Sequence, residues 1–415
     1  MEVIRSRSLS EGTIWHFGCL AALYLSQGIS SGFLLALTTF LVESRGASLA
    51  EISLLLSITM IPWTLKIFFG PLVDSVTIKR YGRRRFWILS SQLLMILILV
   101  PLIFVEVQSV SSFLILIFTL HNLCVAVCDI AVDALAADSL KGSDLGKANG
   151  LMWGSKILGR GAGMLLSSSI LFSFGIGAGI LFLVCAMSLL LFFPLLSSEL
   201  SYKTGMAYKH EFRDFLGIKF LFSEIIKGLG NKSALAAILF MLFSNIGNGI
   251  FDVIYNEFYI EVVGISGAAI GSLRPWGMWV GGLAGLFAGI LSLYFDKRNL
   301  LLFFVTGQAL VFLALSTFDG DTSTILAASA IISLDILDAG WKVIVFAILM
   351  ALCTTQTSAT NFGVFVGCAN LSTVLGNNVV LVIMEYASYS GAFLFAAAST
   401  IPCVILTRCL NSREV

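Results

Sequence analysis

Charge is scarce in this chain. Its 415 residues include 25 Lys and Arg and 24 Asp and Glu, together 12%, against roughly 25% in a soluble domain. The net charge of +1 excludes a broad basic field, so no nucleic-acid partner is expected. His is rarer still, at three residues. No His or Cys cluster has metal-ligand spacing, and neither a metal nor a cofactor is expected. No G-x-x-x-x-G-K-[ST] is present, which excludes a phosphate-binding loop. No nucleophile–base constellation is present either, which argues against an enzyme. The eight Cys, at 19, 124, 128, 185, 353, 368, 403 and 409, fall mostly inside apolar runs. They are read as small buried hydrophobes without a disulfide framework. The opening MEVIRSRSLSEGTIW lacks a short apolar core ending in a small-residue cleavage site, so the first apolar run is expected to be an uncleaved anchor.

What is abundant is apolar sequence, 58% of the chain, far more than one water-soluble core can hide. A membrane-spanning helix needs about 20 such residues. Twelve runs qualify: 14–41, 48–71, 86–105, 112–138, 148–172, 176–197, 233–260, 267–294, 299–317, 323–353, 358–384 and 388–407. The polar stretch 198–232 divides them six and six. The expected fold is an all-α membrane protein of twelve transmembrane helices in two pseudo-symmetric six-helix bundles, 1–197 and 233–415, joined by the linker 198–232. With the N-terminus inside, 19 of the 25 Lys and Arg fall in cytoplasmic segments, only Arg45 falls outside, and five lie within spans. That bias puts both termini in the cytoplasm.

A charge at the bilayer centre costs roughly 2.5–3.5 kcal/mol on insertion scales, so the ten inside spans are informative. Asp129 and Asp133, Asp252, and Asp335, Asp338 and Lys342 lie on the fourth, seventh and tenth runs; Lys66, Lys156, Arg160 and Arg274 lie on the second, fifth and eighth. The third, sixth, ninth and twelfth carry none. A period of three helices implies triple-helix repeats around a polar interior, with every third helix facing lipid. Asp129 and Lys156 each lie about nine residues, on the order of 13 Å, from a shared turn. Asp252 and Arg274 are likewise at similar depth, and Asp338 and Lys342 are spaced i, i+4. Either these are ion pairs that only hold helices together, or some face a substrate or proton path. Asp129 and Asp133 lead as proton-coupling candidates, because an aqueous cavity and a nearby like charge favour a shared proton. His121, two turns from Asp129, either joins a relay or is merely hydrogen-bonded. Trp276 and Trp279, beside Arg274, are either interface anchors or stack on a substrate. Glycine-rich GRGAGMLLSS (159–168) and GMWVGGLAGLFAG (277–289) suit close helix packing.

GPLVDSVTIKRYGRRR (70–85) interrupts two apolar runs with one basic patch. Its Gly70, Asp74, Gly82, Arg83 and Arg84 resemble the signature between the second and third helices of the major facilitator superfamily, where that loop latches the two halves together. PWTLKIFFGPLVDSVTIKRYGRRRFWILSSQ (62–92) is similar to the matching region of anhydromuropeptide permeases and acetyl-coenzyme A transporters. CDIAVDALAADSL (128–140) looks like their span-4 motif with Cys128 in place of Gln, and TSATNF (357–362) resembles the permeases' short loop before the eleventh helix. The second-half latch LSLYFDKRN (291–299) keeps only Asp296, Lys297 and Arg298. The resemblance implies alternating access and proton-coupled import. With no nucleotide site, the energy would come from protons moving down their gradient. The interior bases Lys66, Lys156, Arg160, Arg274 and Lys342 suit an anionic amphiphilic solute, muropeptide-like, with acetyl-coenzyme A or a carboxylate siderophore as the alternative. The expected partners are that solute, protons and the lipid bilayer of a bacterial inner membrane, and the chain is expected to act as a monomer. A non-transporting receptor or scaffold would be favoured by a large extra domain or by loss of the interior charges, and neither is seen.

Overall fold

The computed structural model describes residues 14–75, 82, 84–140, 143–197, 232–352 and 358–410. All regular secondary structure among them is helical. The first stretch holds α1 (Ile14–Arg45), α2 (Leu49–Thr64) and α3 (Lys66–Ser75). It is followed by α4 (Arg85–Leu99), α5 (Pro101–Phe104), α6 (Ser112–Ser139) and α7 (Ser143–Leu196). Beyond 232 come α8 (Lys232–Ser244), α9 (Ile246–Glu257), a wider π turn at Phe258–Val262, α10 (Gly267–Leu291) and α11 (Lys297–Leu315). The chain continues with α12 (Thr324–Leu352), α13 (Ser358–Tyr386), α14 (Tyr389–Ser399) and α15 (Ile401–Thr407). Most of the linker 198–232 lies outside the described residues.

Local chemistry sets the helix ends. At the start of α2 the Ser48 hydroxyl accepts from the Glu51 amide at 3.4 Å while Glu51 Oε2 accepts from the Ser48 amide at 2.9 Å, a reciprocal capping box. Ser111, Ser266 and Asp296 cap α6, α10 and α11 through their side chains. Within α7, Gly175 has φ 82° and ψ −178°, a conformation open to glycine, and divides the element into two helical stretches. The α8–α9 break at Asn245 leaves an amide that an apolar setting would otherwise strand. The Ser372 hydroxyl on α13 accepts it at 3.0 Å.

Eight helices among the described residues are long and apolar enough to cross a membrane. One of them, Gly150–Leu196, has 47 residues, or about 70 Å of helix at 1.5 Å per residue, and suffices for two crossings. The helices of the third, ninth and twelfth runs are less buried than those of the first, fourth and seventh. The apolar windows of Arg85–Phe104, Lys297–Leu315 and Tyr389–Thr407 are 39%, 33% and 39% buried, against 72%, 56% and 56% for Ile14–Arg45, Ser112–Ser139 and Lys232–Val262. Gly363–Tyr386, at 28%, departs from the period of three. One side of α13 packs on α2 and α9, while Leu371, Leu375 and Val382 stay exposed.

The described residues divide into two compact units: those of Met1–Leu37 and Phe68–Ile218, and those of Thr38–Ile67 and Lys219–Val415. In the first, α1 crosses α7 through two small-residue pairs. A β-carbon on Gly159 or Gly163 of α7 would lie 2.5 Å from the carbonyl oxygen of Leu25 or Ile29, and one on Gly28 or Gly32 of α1 would overlap the carbonyls of Lys156 and Arg160. Such Gly-xxx-Gly stripes let backbones meet where lipid supplies no hydrophobic drive. In the second unit the core is aromatic, with Phe251, Tyr255, Phe258, Tyr259, Phe312 and Phe393 fully or nearly buried. Chain order alone would group α2 with its neighbours α1 and α3, but its polar contacts lie with α13. Asn378 Nδ2 donates to Ser57 Oγ at 2.8 Å and Asn370 Nδ2 to the Trp63 carbonyl at 3.0 Å.

Candidate functional site

In the first unit the α1–α7 crossing brings Lys156 against Tyr24. The Lys156 Nζ lies 5.4 Å from the ring centroids of both Tyr24 and Trp153, and 3.7 Å from Asp129 Oδ1 on α6. The Tyr24 hydroxyl donates to Asp133 and is also within hydrogen-bonding reach of Asp129. Asp129 is buried and Asp133 exposed. A phenol has one proton to give, so Tyr24 serves one of these carboxylates at a time. Arg160, one turn beyond Lys156, is exposed. His121 is buried, with both ring nitrogens engaged: Nδ1 is 3.1 Å from the Met95 carbonyl oxygen and Nε2 is 2.6 Å from Ser30 Oγ. Since a carbonyl only accepts, Nδ1 carries the proton and Nε2 accepts from Ser30 in the neutral ring.

The second unit holds two clusters of different character. In one, Asp338 is engaged on both oxygens: Lys342 Nζ donates to Oδ2 at 2.7 Å and Asn248 Nδ2 to Oδ1 at 2.7 Å. Gln308 Nε2 in turn donates to Asn248 Oδ1 at 2.6 Å. This is a charge-balanced, hydrogen-bonded chain across α9, α11 and α12. In the other, Arg274 on α10 is 5% exposed. Its guanidinium carbon lies 4.8 Å from the ring centroids of both Phe251 and Tyr255. Its Nη2 stands 3.6 Å from Asp252 Oδ1 and 4.0 Å from Asp335 Oδ1. Asp335 is seated by the glycines of α10. A β-carbon at Gly277 would overlap its carboxylate, and one at Gly281 would lie 2.6 Å from its main-chain oxygen.

The structure thus contains the three pairings expected from depth and spacing: Asp129–Lys156, Asp252–Arg274 and Asp338–Lys342. It separates Trp276 from Arg274. Two residues apart on a helix is about 200° of rotation, and Trp276 shares an exposed apolar stripe with Val280, Leu283 and Phe287 while Arg274 is buried. Trp276 and Trp279 pack edge to face, with centroids 5.2 Å apart. Lys66 stands 5.9 Å from the Trp63 ring centroid. Tyr24, Asn248 and Gln308 escaped the sequence reading because it followed charged residues, and Trp153, expected as an interface anchor, instead lies against the Lys156 ammonium.

The basic patch is tied down from within the first unit. Arg84 is buried, and its Nε donates to Asp138 Oδ2 at 2.8 Å while Nη1 donates to the Val73 carbonyl at 3.4 Å. Arg85 donates to the carbonyls of Pro194 and Leu195 at 3.0 and 2.9 Å, satisfying the end of α7. Gly82 has φ 91°, where a side chain would be strained. Gly70 lies in α3. The Asp74 side chain, Arg83 and the stretch 357–362 lie outside the described residues or side chains.

Sequence and structure comparisons agree. The family model described as "Major Facilitator Superfamily" matches residues 19–377. The chain is 23% identical over 403 residues to the anhydromuropeptide permease of Escherichia coli K12, covering 93% of this chain and 78% of that protein. It is 24% identical over 415 residues to a putative transporter, AmpG 4, of Rickettsia felis, covering 93% and 95%. A shorter stretch of 89 residues is 39% identical to an uncharacterized membrane protein of Saccharomyces cerevisiae, covering 21% of this chain and 16% of that one. Among solved structures, the nucleoside transporter NupG superposes with a TM-score of 0.71 at 11% identity, over 95% of this chain and 98% of that one. A bacterial homolog of the human lysosomal transporter Spinster superposes at 0.66 with 14% identity, over 95% of both chains.

Proposed function

The chain belongs to the major facilitator superfamily, and on that footing we propose that it is a proton-coupled importer of an anionic amphiphilic solute of muropeptide type, working by alternating access. It is an integral membrane transporter. The reading takes twelve membrane helices in two six-helix bundles, 1–197 and 233–415, with 198–232 as a cytoplasmic linker. Both termini are cytoplasmic, in a bacterial inner membrane.

The observation that carries the coupling is the Tyr24 hydroxyl facing two carboxylates, Asp129 and Asp133, beside one ammonium, Lys156. Two like charges sharing one site with a single base favour retention of a proton. When the proton leaves, Lys156 faces two ionised acids. When it returns, one acid is neutral, the pull on the Lys156 ammonium weakens and a substrate anion can compete for it, with Arg160 one turn away as a second donor. The 3.7 Å separation of Lys156 from Asp129 is longer than a charge-assisted hydrogen bond of about 2.7–2.9 Å, which suits a partner that must be exchanged. The solute class is supported by the permease relative aligned over 93% of this chain and by the sign of these interior bases. Acetyl-coenzyme A and carboxylate siderophores meet the same chemical description. So does the cargo named for the folate-biopterin transporter of Synechocystis, which aligns over 36% of this chain.

Uptake into proteoliposomes tests the reading. An inward proton gradient is imposed and labelled anhydromuropeptide, acetyl-coenzyme A, a carboxylate siderophore and folate are offered in parallel. Gradient-driven uptake of one of them, lost in Asp129→Asn or Asp133→Asn while counterflow exchange persists, is the expected result. Uptake indifferent to the gradient and to both substitutions would overturn the coupling scheme.

A further inference from the structure

Arg160 differs from Lys156, Arg274 and Lys342 in having nothing to hold. Lys156 stands near Asp129, Arg274 stands near two acids, and Lys342 donates to Asp338 at 2.7 Å. Among the described residues Arg160 has no hydrogen bond, ion pair or ring contact, and it is exposed. It lies ten residues into the span Gly150–Leu196. That is about 15 Å of helix, half of a hydrocarbon core of about 30 Å.

Exposure at this depth means lipid or water, and helix rotation decides between them. The exposed Leu151 and Leu158 lie nine and two residues back, about 180° and 200° round the helix from Arg160. They form the lipid side of α7. Lys156 and Trp153, four and seven residues back, lie within about 40° of Arg160. Lys156 reaches Asp129 on α6, and the main chain of both Lys156 and Arg160 meets Gly28 of α1. The Arg160 side therefore turns toward α1 and α6, and its exposed guanidinium meets water there rather than lipid, where a charge is costly. The main chain beneath it is fixed. A β-carbon on Gly28 would lie 2.9 Å from the Arg160 amide nitrogen, and one on Gly32 would overlap the Arg160 carbonyl oxygen. The helix crossing thus sets the place of the base and leaves its donors unclaimed.

We propose that Arg160 is the residue that recognises the solute's anion, holding a carboxylate or a phosphate through two parallel N–H donors. The inference rests on the reading of the chain as an importer of an anionic solute. It divides the two bases of the first unit by role. Lys156 lies against Asp129, so its charge is bound up with the protonation of the acids. Arg160 engages neither acid and meets an anion in either protonation state. A guanidinium is a planar fork that matches two oxygens of one group, which an ammonium cannot do.

Chemical modification tests this on the unaltered protein. The full chain in lipid nanodiscs is treated with p-hydroxyphenylglyoxal, which modifies accessible arginines, and the modified positions are read by peptide mass spectrometry. Arg160 is expected to react while the buried Arg84 and Arg274 do not. Anhydromuropeptide, a carboxylate siderophore and folate are offered beforehand as carboxylates, and acetyl-coenzyme A as a phosphate. One of the four, at about ten times its Kd, should slow modification of Arg160 about tenfold. Its carboxyl-amidated or dephosphorylated form should not. Protection by a carboxylate or by acetyl-coenzyme A supports the proposal and names the oxyanion. An unreactive Arg160, modification that none of the four slows, or equal protection by the uncharged form would overturn it. Arg160→Lys should melt like the parent and raise the KM for the protecting solute about tenfold, the worth of one charge-assisted hydrogen bond. Its kcat and its dependence on the proton gradient should be kept, and an unchanged KM would overturn the proposal. Protection accompanied by uptake indifferent to the gradient would refute the coupling scheme and leave this site standing.

Discussion

The crossing of α1 and α7 yields a prediction whose sign differs between two glycines of one helix. At Gly28 a β-carbon would overlap the Lys156 carbonyl oxygen, with the Arg160 amide nitrogen at 2.9 Å and the Gly159 α-carbon at 3.0 Å. All of these are backbone atoms, which cannot swing aside as a side-chain tip can. Restoring ordinary contact of at least 3.4 Å requires the two helices to part. Overpacking of this kind costs about 1–3 kcal/mol, against a gain of roughly 0.5–1 kcal/mol from replacing glycine by alanine within a helix. Gly28→Ala is therefore expected to destabilise by up to about 2.5 kcal/mol. At Gly18, on the same helix, a β-carbon meets nothing within 4 Å, and Gly18→Ala keeps only the helix gain of roughly 0.5–1 kcal/mol. Thermal unfolding of both variants in nanodiscs, followed by tryptophan emission, should place Gly28→Ala below and Gly18→Ala at or above the unmodified protein. Gly28→Ala should also lose uptake out of proportion to its stability, because the same displacement carries Lys156 away from Tyr24. A Gly28→Ala protein that melts no earlier than Gly18→Ala would refute the close crossing.

Three further outcomes follow from the same geometry. Tyr24→Phe removes the hydroxyl that serves Asp133 and Asp129, and should weaken gradient-driven uptake while leaving counterflow; equal loss of both would make Tyr24 a packing residue. Arg84→Ala should cost about 1–3 kcal/mol of stability, below the 3–5 kcal/mol of a fully buried pair, because the Asp138 side chain is 42% exposed. Arg84→Lys should recover only part of that, since an ammonium cannot reproduce the two directed contacts, and the melting midpoints of the two variants check this. Lys342→Ala should destabilise through the stranded Asp338 yet leave the pH profile of uptake unchanged, and a shifted profile would move Asp338 into the coupling machinery.

The sequence made the interior charges legible because membranes make them costly: ten such residues stand out against apolar spans and recur with a period of three helices. It also made several pairings legible, because helices joined by a short turn run antiparallel and equal distances from the turn mean equal depth. Asp129–Lys156 and Asp252–Arg274 came from that rule alone. Contacts between helices distant in the chain were out of its reach. Tyr24 and Asp133 are 109 residues apart, and Gln308 and Asn248 are 60 apart, with nothing in composition or periodicity to link them. The partnership of α2 with α13 was hidden for the same reason, since chain order does not choose a helix's neighbour. Trp276 is a different case. Its place on the face away from Arg274 follows from helix rotation and was readable without coordinates.

Distance then sorts these charges by role. Arg84–Asp138 at 2.8 Å and Lys342–Asp338 at 2.7 Å are within a charge-assisted hydrogen bond. Lys156–Asp129 at 3.7 Å and Arg274 to its two acids at 3.6 and 4.0 Å are not. Coulomb attraction falls only slowly over that extra ångström, so the longer contacts still hold charge together, although at these separations they are not themselves directed hydrogen bonds. In both loose clusters the base sits over aromatic rings, Tyr24 and Trp153 for Lys156, Phe251 and Tyr255 for Arg274. A ring face attracts a cation without specifying a donor–acceptor line. A base whose contact to an acid is this long loses less on changing acid partners than one in a close charge-assisted hydrogen bond. The transport cycle proposed above would need that property of its coupling residues, whereas a pair that only holds helices together would be weakened by it.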